Sequence, residues 1–166
     1  MSTTIRRLVV LRHAESEPEI AGQGDHARPL HARGRRDAAR LGERLRELGW
    51  IPQVVVSSDA TRTRQTWEHL RPALGAAPAA RFTRALYLMG IDEIRAVLGE
   101  QPPQVDTVMV IGHNPGWEDA IHSLCGVHGR MSPCAAALLH TTADTWTDAA
   151  ARDDWELHEL LSPERR

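Results

Sequence analysis

Two histidines and two arginines of this chain follow apolar runs, and each of these side chains could act on a phosphate group. The run Leu8-Val-Val-Leu11 ends directly in Arg12 and His13. A neutral imidazole can attack phosphorus, while a neighbouring guanidinium can bind the phosphate oxygens through a bidentate fork. This pair therefore predicts phosphoryl transfer through His13.

Two later segments have the same plan. One apolar strand is followed by a turn and a helix start that carries Arg62, and another delivers His113 just before Pro115, which suits the first turn of a helix. Open α/β sheets bind ligands at the carboxyl ends of their strands. If the three strand ends are adjacent, the four side chains converge on one pocket suited to a phosphate dianion.

Strand-like and helix-like segments alternate along the chain, which is typical of an α/β fold. We expect a three-layer sandwich with a mainly parallel central sheet, a mixed edge and helices on both faces. No repeat or linker interrupts the pattern, so residues 1–166 are predicted to form a single domain. The predicted strands are 8–11, 53–57, 81–86, 106–111, 135–141 and 155–161, with the last two paired, and the predicted helices are 33–48, ended by Gly49, 60–74, 92–98 and 116–124.

Composition and charge exclude several classes of protein. A hydrophobic content of 42% is that of an ordinary globular protein, and the net charge of −2 argues against a general nucleic-acid binder. No segment approaches the ~20 apolar residues that cross a bilayer, so we expect no membrane association. The chain is expected to be cytoplasmic, with Cys125 and Cys134 as reduced thiols.

The chain resembles the histidine phosphatase superfamily, and within it the small SixA-type branch of phosphohistidine phosphatases. The family hallmark is Arg-His-Gly after the first strand, and this chain has the common variant Arg-His-Ala. The resemblance covers nearly the whole chain and rests on Leu11-Arg-His-Ala-Glu15, Arg28-Pro-Leu30 with Gly34 beyond it, the segment from Ser58 to Thr66, Leu86-Tyr-Leu88, and Gly112-His-Asn-Pro-Gly116.

The resemblance implies a metal-independent phosphatase that needs no cofactor. His13 would attack in line and form a phosphohistidine that water then hydrolyses. Arg12, Arg62 and His113 would stabilise the charge on the moving phosphoryl group, and the resemblance adds Arg28 to this phosphate-binding set. Attack requires a neutral His13, so another group must hold the proton of its far nitrogen; the sequence does not identify that group.

The leaving group decides the substrate class. Relatives resembling phosphoglycerate mutase carry a glutamate shortly after the strand equivalent to 81–86, whereas residues 85–90 contain no acid here. An alcohol needs a proton donor to leave, and imidazole needs much less help. The remaining candidates for a general acid are Glu15, Asp25, Asp92 and Glu93, of which the last two are expected to be solvated acids in the first turn of a helix.

We therefore expect the substrate to be phosphohistidine on a partner protein. The alternatives are a phosphomonoesterase for a small phosphorylated metabolite and a phosphate-binding module without turnover.

Three other features have simpler interpretations. His122, Cys125 and His128 offer only three ligands split across a helix end, so we expect no metal there. His31 precedes the first predicted helix, and we expect it to cap that helix less well than threonine would, at some cost in stability. The arginine series between Arg33 and Arg46 is interrupted by acids, which favours a solvated helix face with ion pairs.

Overall fold

The computed structural model describes residues 4–76 and 78–163. Within these residues, six strands form one sheet that five helices cover. The strands are β1 (Ile5–Arg12), β2 (Val54–Ser58), β3 (Ala80–Thr83), β4 (Thr107–Gly112), β5 (Ala136–Thr142) and β6 (Glu156–Leu161), and the helices are α1 (Ala32–Leu48), α2 (Thr61–Leu74), α3 (Ile91–Gly99), α4 (Gly116–Cys125) and α5 (Trp146–Ala151).

The strand order is β3-β2-β4-β1-β5-β6. Strands β1 to β4 run parallel, β5 is antiparallel to β1, and β6 is antiparallel to β5. The predicted mixed edge and the pairing of the last two strands are therefore confirmed. Because β4 lies between β1 and β2, the carboxyl ends of these three strands are neighbours.

Alternation along the buried strands creates two cores, one on each face of the sheet. In β1, Leu8 and Val10 pack toward α3, α4 and α5, whereas Val9 and Leu11 pack toward α1 and α2. The predicted three-layer sandwich is confirmed. None of the helices in residues 4–76 and 78–163 is long and apolar enough to cross a membrane.

Two elements differ from the prediction. The strand predicted at 81–86 ends at Thr83, whose hydroxyl accepts a hydrogen bond from the Ala85 amide and starts a 3-10 turn at Arg84–Leu86. Helix α5 was not predicted, because six residues are too few to show helical periodicity. Its first residue, Trp146, is buried and donates to the Val105 carbonyl.

His31 caps α1 through its ring. Its Nδ1 atom accepts a hydrogen bond of 3.1 Å from the Arg33 amide, so the ring nitrogen does what a serine or threonine hydroxyl does elsewhere. The cap contact is thus made, whereas the cost in stability relative to threonine remains untested by this contact. At the other end Gly49, with φ of 74°, ends the helix as predicted.

Candidate active site

His13 lies directly after β1 and is held by main-chain hydrogen bonds on two sides. Its amide donates to the Gly112 carbonyl at 3.0 Å, and its carbonyl accepts from the Cys134 amide at 2.9 Å. Only 6% of the residue is exposed. The two neighbouring strands thus fix the backbone from which the imidazole projects.

The tautomer of His13 follows from its own loop. Nδ1 lies 2.7 Å from the Ala14 carbonyl, which can only accept a hydrogen bond, so Nδ1 carries the proton. Burial, together with the smaller effects of the charges on Arg62, Arg12 and Arg28, lowers the pKa of His13 from 6.5 to about 3. The ring is neutral near pH 7, with the lone pair on Nε2. This carbonyl is the orienting group that the sequence did not identify.

Thr66 joins the His13 loop to α2. Its hydroxyl accepts from the Ala14 amide at 3.0 Å and donates to the Arg62 carbonyl at 2.7 Å. One side chain therefore sets the position of the loop relative to Arg62. Thr66 belongs to the segment that carries the resemblance, but nothing in its residue type indicated this role.

The three arginines predicted to bind phosphate lie together and retain free donors. The Nε atoms of Arg12, Arg28 and Arg62 are buried without a hydrogen-bond partner among the described residues. Burial lowers the pKa of Arg12, and repulsion from Arg62 and Arg28 contributes in the same direction. Three neighbouring guanidinium groups with unused donors form a cradle for an anion.

Arg12 is held by a network that the sequence did not reveal. Its Nη1 donates to the Met131 carbonyl at 2.9 Å, and the same carbonyl accepts from Asn114 Nδ2 at 2.9 Å. Glu118 accepts from Asn114 and from the Met131 amide, and its charge raises the pKa of Arg12 against the effect of burial. Asn114 is adjacent to His113, but Glu118 carries no sequence signal for this contact.

His113 follows β4, with 1% of the residue exposed, and its ring centroid lies 5.3 Å from that of His13. Its Nε2 lies 2.8 Å from the Ser58 hydroxyl, which also accepts from the Ala60 amide at 3.3 Å. Because the Ser58 hydroxyl accepts from Ala60, its own hydrogen needs an acceptor, and Nε2 of His113 is the one within its reach. We therefore assign the imidazole proton of His113 to Nδ1.

Nδ1 of His113 is buried and has no hydrogen-bond partner among the described residues. Burial lowers the pKa of His113 to about 3, and repulsion from Arg62 contributes, so the ring is a neutral donor. The contact of the Ser58 hydroxyl with the Ala60 amide holds the turn before Arg62, and its contact with His113 gives it a second role.

Asp25 forms the roof of the site together with Tyr87. Its Oδ2 accepts from Arg62 at 2.9 Å and from the Tyr87 hydroxyl at 2.5 Å, and Oδ1 lies 3.1 Å from Arg28 Nε, an ion pair without hydrogen-bond geometry. Burial acts to raise the pKa of Asp25, but the bonds from Tyr87 and Arg62 outweigh it and lower the pKa. Asp25 is thus an ionised carboxylate, unsuited to donating a proton at neutral pH.

The other three candidate acids lie apart from this cluster. Glu15 is 3.9 Å from Arg33, and Glu93 accepts from the Gly90 amide at the start of α3, where Asp92 also lies. In the described part of the chain, no hydrogen bond or ion pair joins them to the histidines or to the arginine cradle. The contacts of the described residues do not link Glu15, Asp92 or Glu93 to the cradle, and their role as general acids stays a prediction.

The histidine and cysteine cluster at the end of α4 has packing contacts. The rings of His122 and His128 stack at 3.7 Å, and Cys125 donates to the Ile121 carbonyl within its own helix. Residues 4–76 and 78–163 contain no group of three or more side chains arranged to hold a metal ion. Cys125 and Cys134 are both thiols and do not form a disulfide.

Comparison with known proteins agrees with this geometry. The model of the histidine phosphatase superfamily (branch 1) matches residues 8–86. An uncharacterised chloroplast protein of Arabidopsis thaliana is 35% identical over 98% of this chain and 81% of its own length. The proposed phosphoglycerate mutase GpmB of Salmonella typhi is 31% identical over 77% of this chain and 62% of its own length.

Among solved structures, the proposed phosphohistidine phosphatase SixA of Nakamurella multipartitia superposes with a TM-score of 0.84. The two are 31% identical, and the match covers 98% of this chain and 99% of the other. The chain belongs to the histidine phosphatase superfamily and is a metal-independent phosphatase. Within the superfamily it is of the SixA type. This membership therefore argues against the alternative of a phosphate-binding module without turnover.

Proposed function

We propose that this chain removes phosphate from phosphohistidine on a partner protein, with Nε2 of His13 as the nucleophile. The observation that carries the proposal is that the site holds a neutral imidazole with a fixed tautomer next to a set of hydrogen-bond donors. The Ala14 carbonyl holds the proton on the far side of His13, while the cradle arginines and His113 present unpaired donors. The arrangement provides a neutral nucleophile beside fixed positive charge.

In the first step, the lone pair of His13 Nε2 forms a bond to phosphorus as the bond from phosphorus to the substrate's leaving atom breaks. The negative charge on the oxygens of the transferring phosphoryl group is stabilised by Arg12, Arg28, Arg62 and the Nδ1–H of His113. In the second step, water attacks the phosphohistidine, and the bond from Nε2 to phosphorus breaks. His13 returns to its neutral form and inorganic phosphate leaves with the water's oxygen.

The ionised state of the carboxyl group that contacts the cradle favours a phosphoramidate substrate. Asp25 touches the cradle and is held ionised by Arg62 and Tyr87, so it gives a leaving alkoxide no proton. A phosphohistidine protonated on its free ring nitrogen expels neutral imidazole and needs no acid from the enzyme. Tyr87, whose pKa is raised by burial and by its bond to Asp25, keeps its proton at neutral pH and donates it to the Asp25 carboxylate.

A small phosphomonoester is the second candidate. It is favoured by the similarity to the proposed mutase GpmB, whose reaction class concerns a phosphorylated metabolite. That relative is longer, and this chain spans 62% of its length. The two candidates differ in their need for a proton donor, which makes them separable by kinetics.

The test is the dependence of kcat/KM on the leaving group. We expect phosphoramidate and phosphoimidazole to be cleaved fastest, aryl phosphates with acidic phenols more slowly, and alkyl phosphates slowest, because the enzyme supplies no proton. Exhaustive chelation serves as a control and leaves all rates unchanged. A flat dependence, with alkyl phosphates cleaved as fast as phosphoramidates, would contradict the phosphohistidine assignment and favour the metabolite.

A further inference from the structure

A groove with a volume of about 770 Å³ lies between α1 and the end of β6, outside the cluster around His13. Leu41, Leu161, Pro163 and Cys134 contribute its apolar surface, and Ser162 and the buried Asp37 also line it. Four arginines of α1 line it in a row: Arg33, Arg36, Arg40 and Arg44. Their spacing of three or four residues places them on one face of the helix, over a length of roughly 16 Å.

Only the two ends of the row form ion pairs. Arg44 lies 3.5 Å from Glu47 and 3.9 Å from Glu159, and Arg33 lies 3.9 Å from Glu15. The side chains of Arg36 and Arg40 are exposed and make no ion pair or hydrogen bond within residues 4–76 and 78–163. The expected solvated face with ion pairs is therefore present, and its middle holds two guanidinium groups whose charges no acid offsets by an ion pair.

Main-chain hydrogen bonds join segments beside the groove to the His13 loop. The Cys134 amide donates to the His13 carbonyl, and the His31 amide donates to the Glu15 carbonyl just before α1 begins. A Cβ atom on Gly34 would lie 2.2 Å from the Glu15 carbonyl oxygen, so only glycine allows α1 to start this close to the loop. A molecule bound along the arginines is thus held on the rigid body that carries the nucleophile.

We infer that this groove binds an acidic segment of the protein that carries the phosphohistidine, an inference that rests on the function proposed above. Two exposed guanidinium groups without ion pairs, Arg36 and Arg40, lie between Arg33 and Arg44 beside an apolar surface. Such a row complements carboxylates on a polypeptide, whose side-chain stems and backbone cover the apolar surface. Single-stranded nucleic acid is the less suitable occupant. None of the residues that line the groove is aromatic, so bases have no stacking platform, and the protein's net charge is −2.

The experiment uses two synthetic peptides, each with one phosphohistidine, a flexible glycine-serine linker and a terminal segment of about five residues, which matches the length of the row when extended. One segment is glutamate and the other is serine. At low salt we expect the wild-type enzyme to show a kcat/KM about tenfold or more higher for the glutamate peptide, mainly through KM. The preference disappears near 1 M salt, where charges are screened beyond ~3 Å.

The groove variant is Arg36→Glu with Arg40→Glu. Its matched control is Arg46→Glu with Arg71→Glu, which changes the net charge equally at two exposed arginines outside the groove. The groove variant loses the preference for the glutamate peptide, the control keeps it, and both cleave free phosphoramidate at the wild-type rate. Arg36→Gln with Arg40→Gln gives an intermediate preference without introducing new negative charge.

The outcomes separate the two proposals. If the wild-type enzyme cleaves phosphoramidate but treats both peptides alike, or if the control variant loses the preference as fully as the groove variant, the groove proposal is overturned while the proposed function stands. If the wild-type enzyme fails to cleave phosphoramidate and both peptides, the proposed function itself fails. A single-stranded oligonucleotide that competes through Arg36 and Arg40 more strongly than a phosphate-free glutamate peptide would overturn the choice of a protein partner.

Discussion

The floor and the roof of the site are held in different ways. The floor consists of Arg12 together with His13, His113 and Arg62, of which the last three are 6%, 1% and 2% exposed; a main-chain carbonyl and a buried hydroxyl hold its two histidines. The roof, formed by Asp25 and Tyr87, is half-buried and held by contacts between side chains, including the ion pairs of Asp25 with Arg28 and Arg62. Fixed dipoles in a buried floor favour chemistry, whereas exchangeable ion pairs in a roof favour entry and exit of a ligand.

The difference has a consequence for an arriving phosphate. Asp25 occupies donors of Arg62 and contacts Arg28, so an anion that enters the cradle competes with this carboxylate for the same cations. The donors of Arg12 Nε and His113 Nδ1 need no such exchange, because they already lack a hydrogen-bond partner among the described residues. Substitutions in the floor are therefore expected to alter kcat, and those in the roof to alter KM.

The largest effect is expected for His13→Ala. Removal of the nucleophile lowers kcat by at least about 10³-fold, because no other neutral imidazole has its Nε2 free in the cradle. Far-UV circular dichroism and the unfolding temperature show that the fold survives. Turnover within tenfold of the wild type would remove His13 from the mechanism.

Arg62→Ala comes next, with kcat lowered on the order of 10²–10³-fold through loss of one preorganised donor. Arg64→Ala is the matched control, since Arg64 is an exposed arginine of the same helix that packs over Phe82. Arg12→Lys is also harmful, because an ammonium group cannot reproduce the bidentate fork. Near-normal rates in both cradle variants would mean that the phosphate binds elsewhere.

Ser58→Ala tests the tautomer of His113. Without the hydroxyl bond to Nε2, the proton is no longer confined to Nδ1, and we expect kcat to fall about tenfold with KM little changed. Ser57→Ala is the control, because the Ser57 hydroxyl bonds the Ser58 carbonyl and does not contact His113. Equal losses in the two variants would indicate a general packing defect.

The two buried histidines also predict how stability varies with pH. Their folded pKa of about 3 lies below the ordinary value of 6.5, so the unfolded chain binds these protons first as the pH falls. The free energy of unfolding therefore decreases between pH 6.5 and about 3, by up to ~1.4 kcal/mol per pH unit for each group, and is insensitive to them above pH 6.5. In urea titrations, His113→Gln should show a shallower decrease. Parallel curves would refute the buried neutral state.

The smallest effect concerns the cap of α1, which lies outside both floor and roof. His31→Ala should destabilise the protein by roughly 0.5–1 kcal/mol, because the Arg33 amide loses its acceptor, while His31→Thr is close to neutral. Neither change should alter kcat. A loss of activity in both would place His31 in the substrate site.

The floor could be predicted from the sequence because each of its side chains follows a strong local signal. Apolar runs place Arg12, His13 and His113 at strand ends, and parallel pairing then brings these ends together. The roof could not be predicted in the same way. The contact of Asp25 with Tyr87 spans 62 residues and depends on the path of an irregular loop, which no periodic pattern encodes.

The same reasoning explains the partners that were missed inside the floor. Ser58 and Thr66 belong to a segment that the sequence analysis recognised. A hydroxyl group, however, offers no sequence signal for which of several nearby groups it will bond. The arginine row of α1 was not predicted for a different reason. The order of positive and negative residues along a sequence does not reveal which of them lie together beside β6.

The central claim is that phosphate passes through Nε2 of His13, and trapping that intermediate tests it most directly. The enzyme is mixed with a phosphoramidate labelled in phosphorus and quenched within milliseconds in alkaline denaturant, because phosphohistidine survives base and not acid. Peptide mapping and phosphorus NMR then locate the label. We predict a near-stoichiometric burst of phosphate on Nε2 of His13 that is absent from His13→Ala. Turnover without labelled enzyme, or label on Nδ1 or on another residue, would contradict the account.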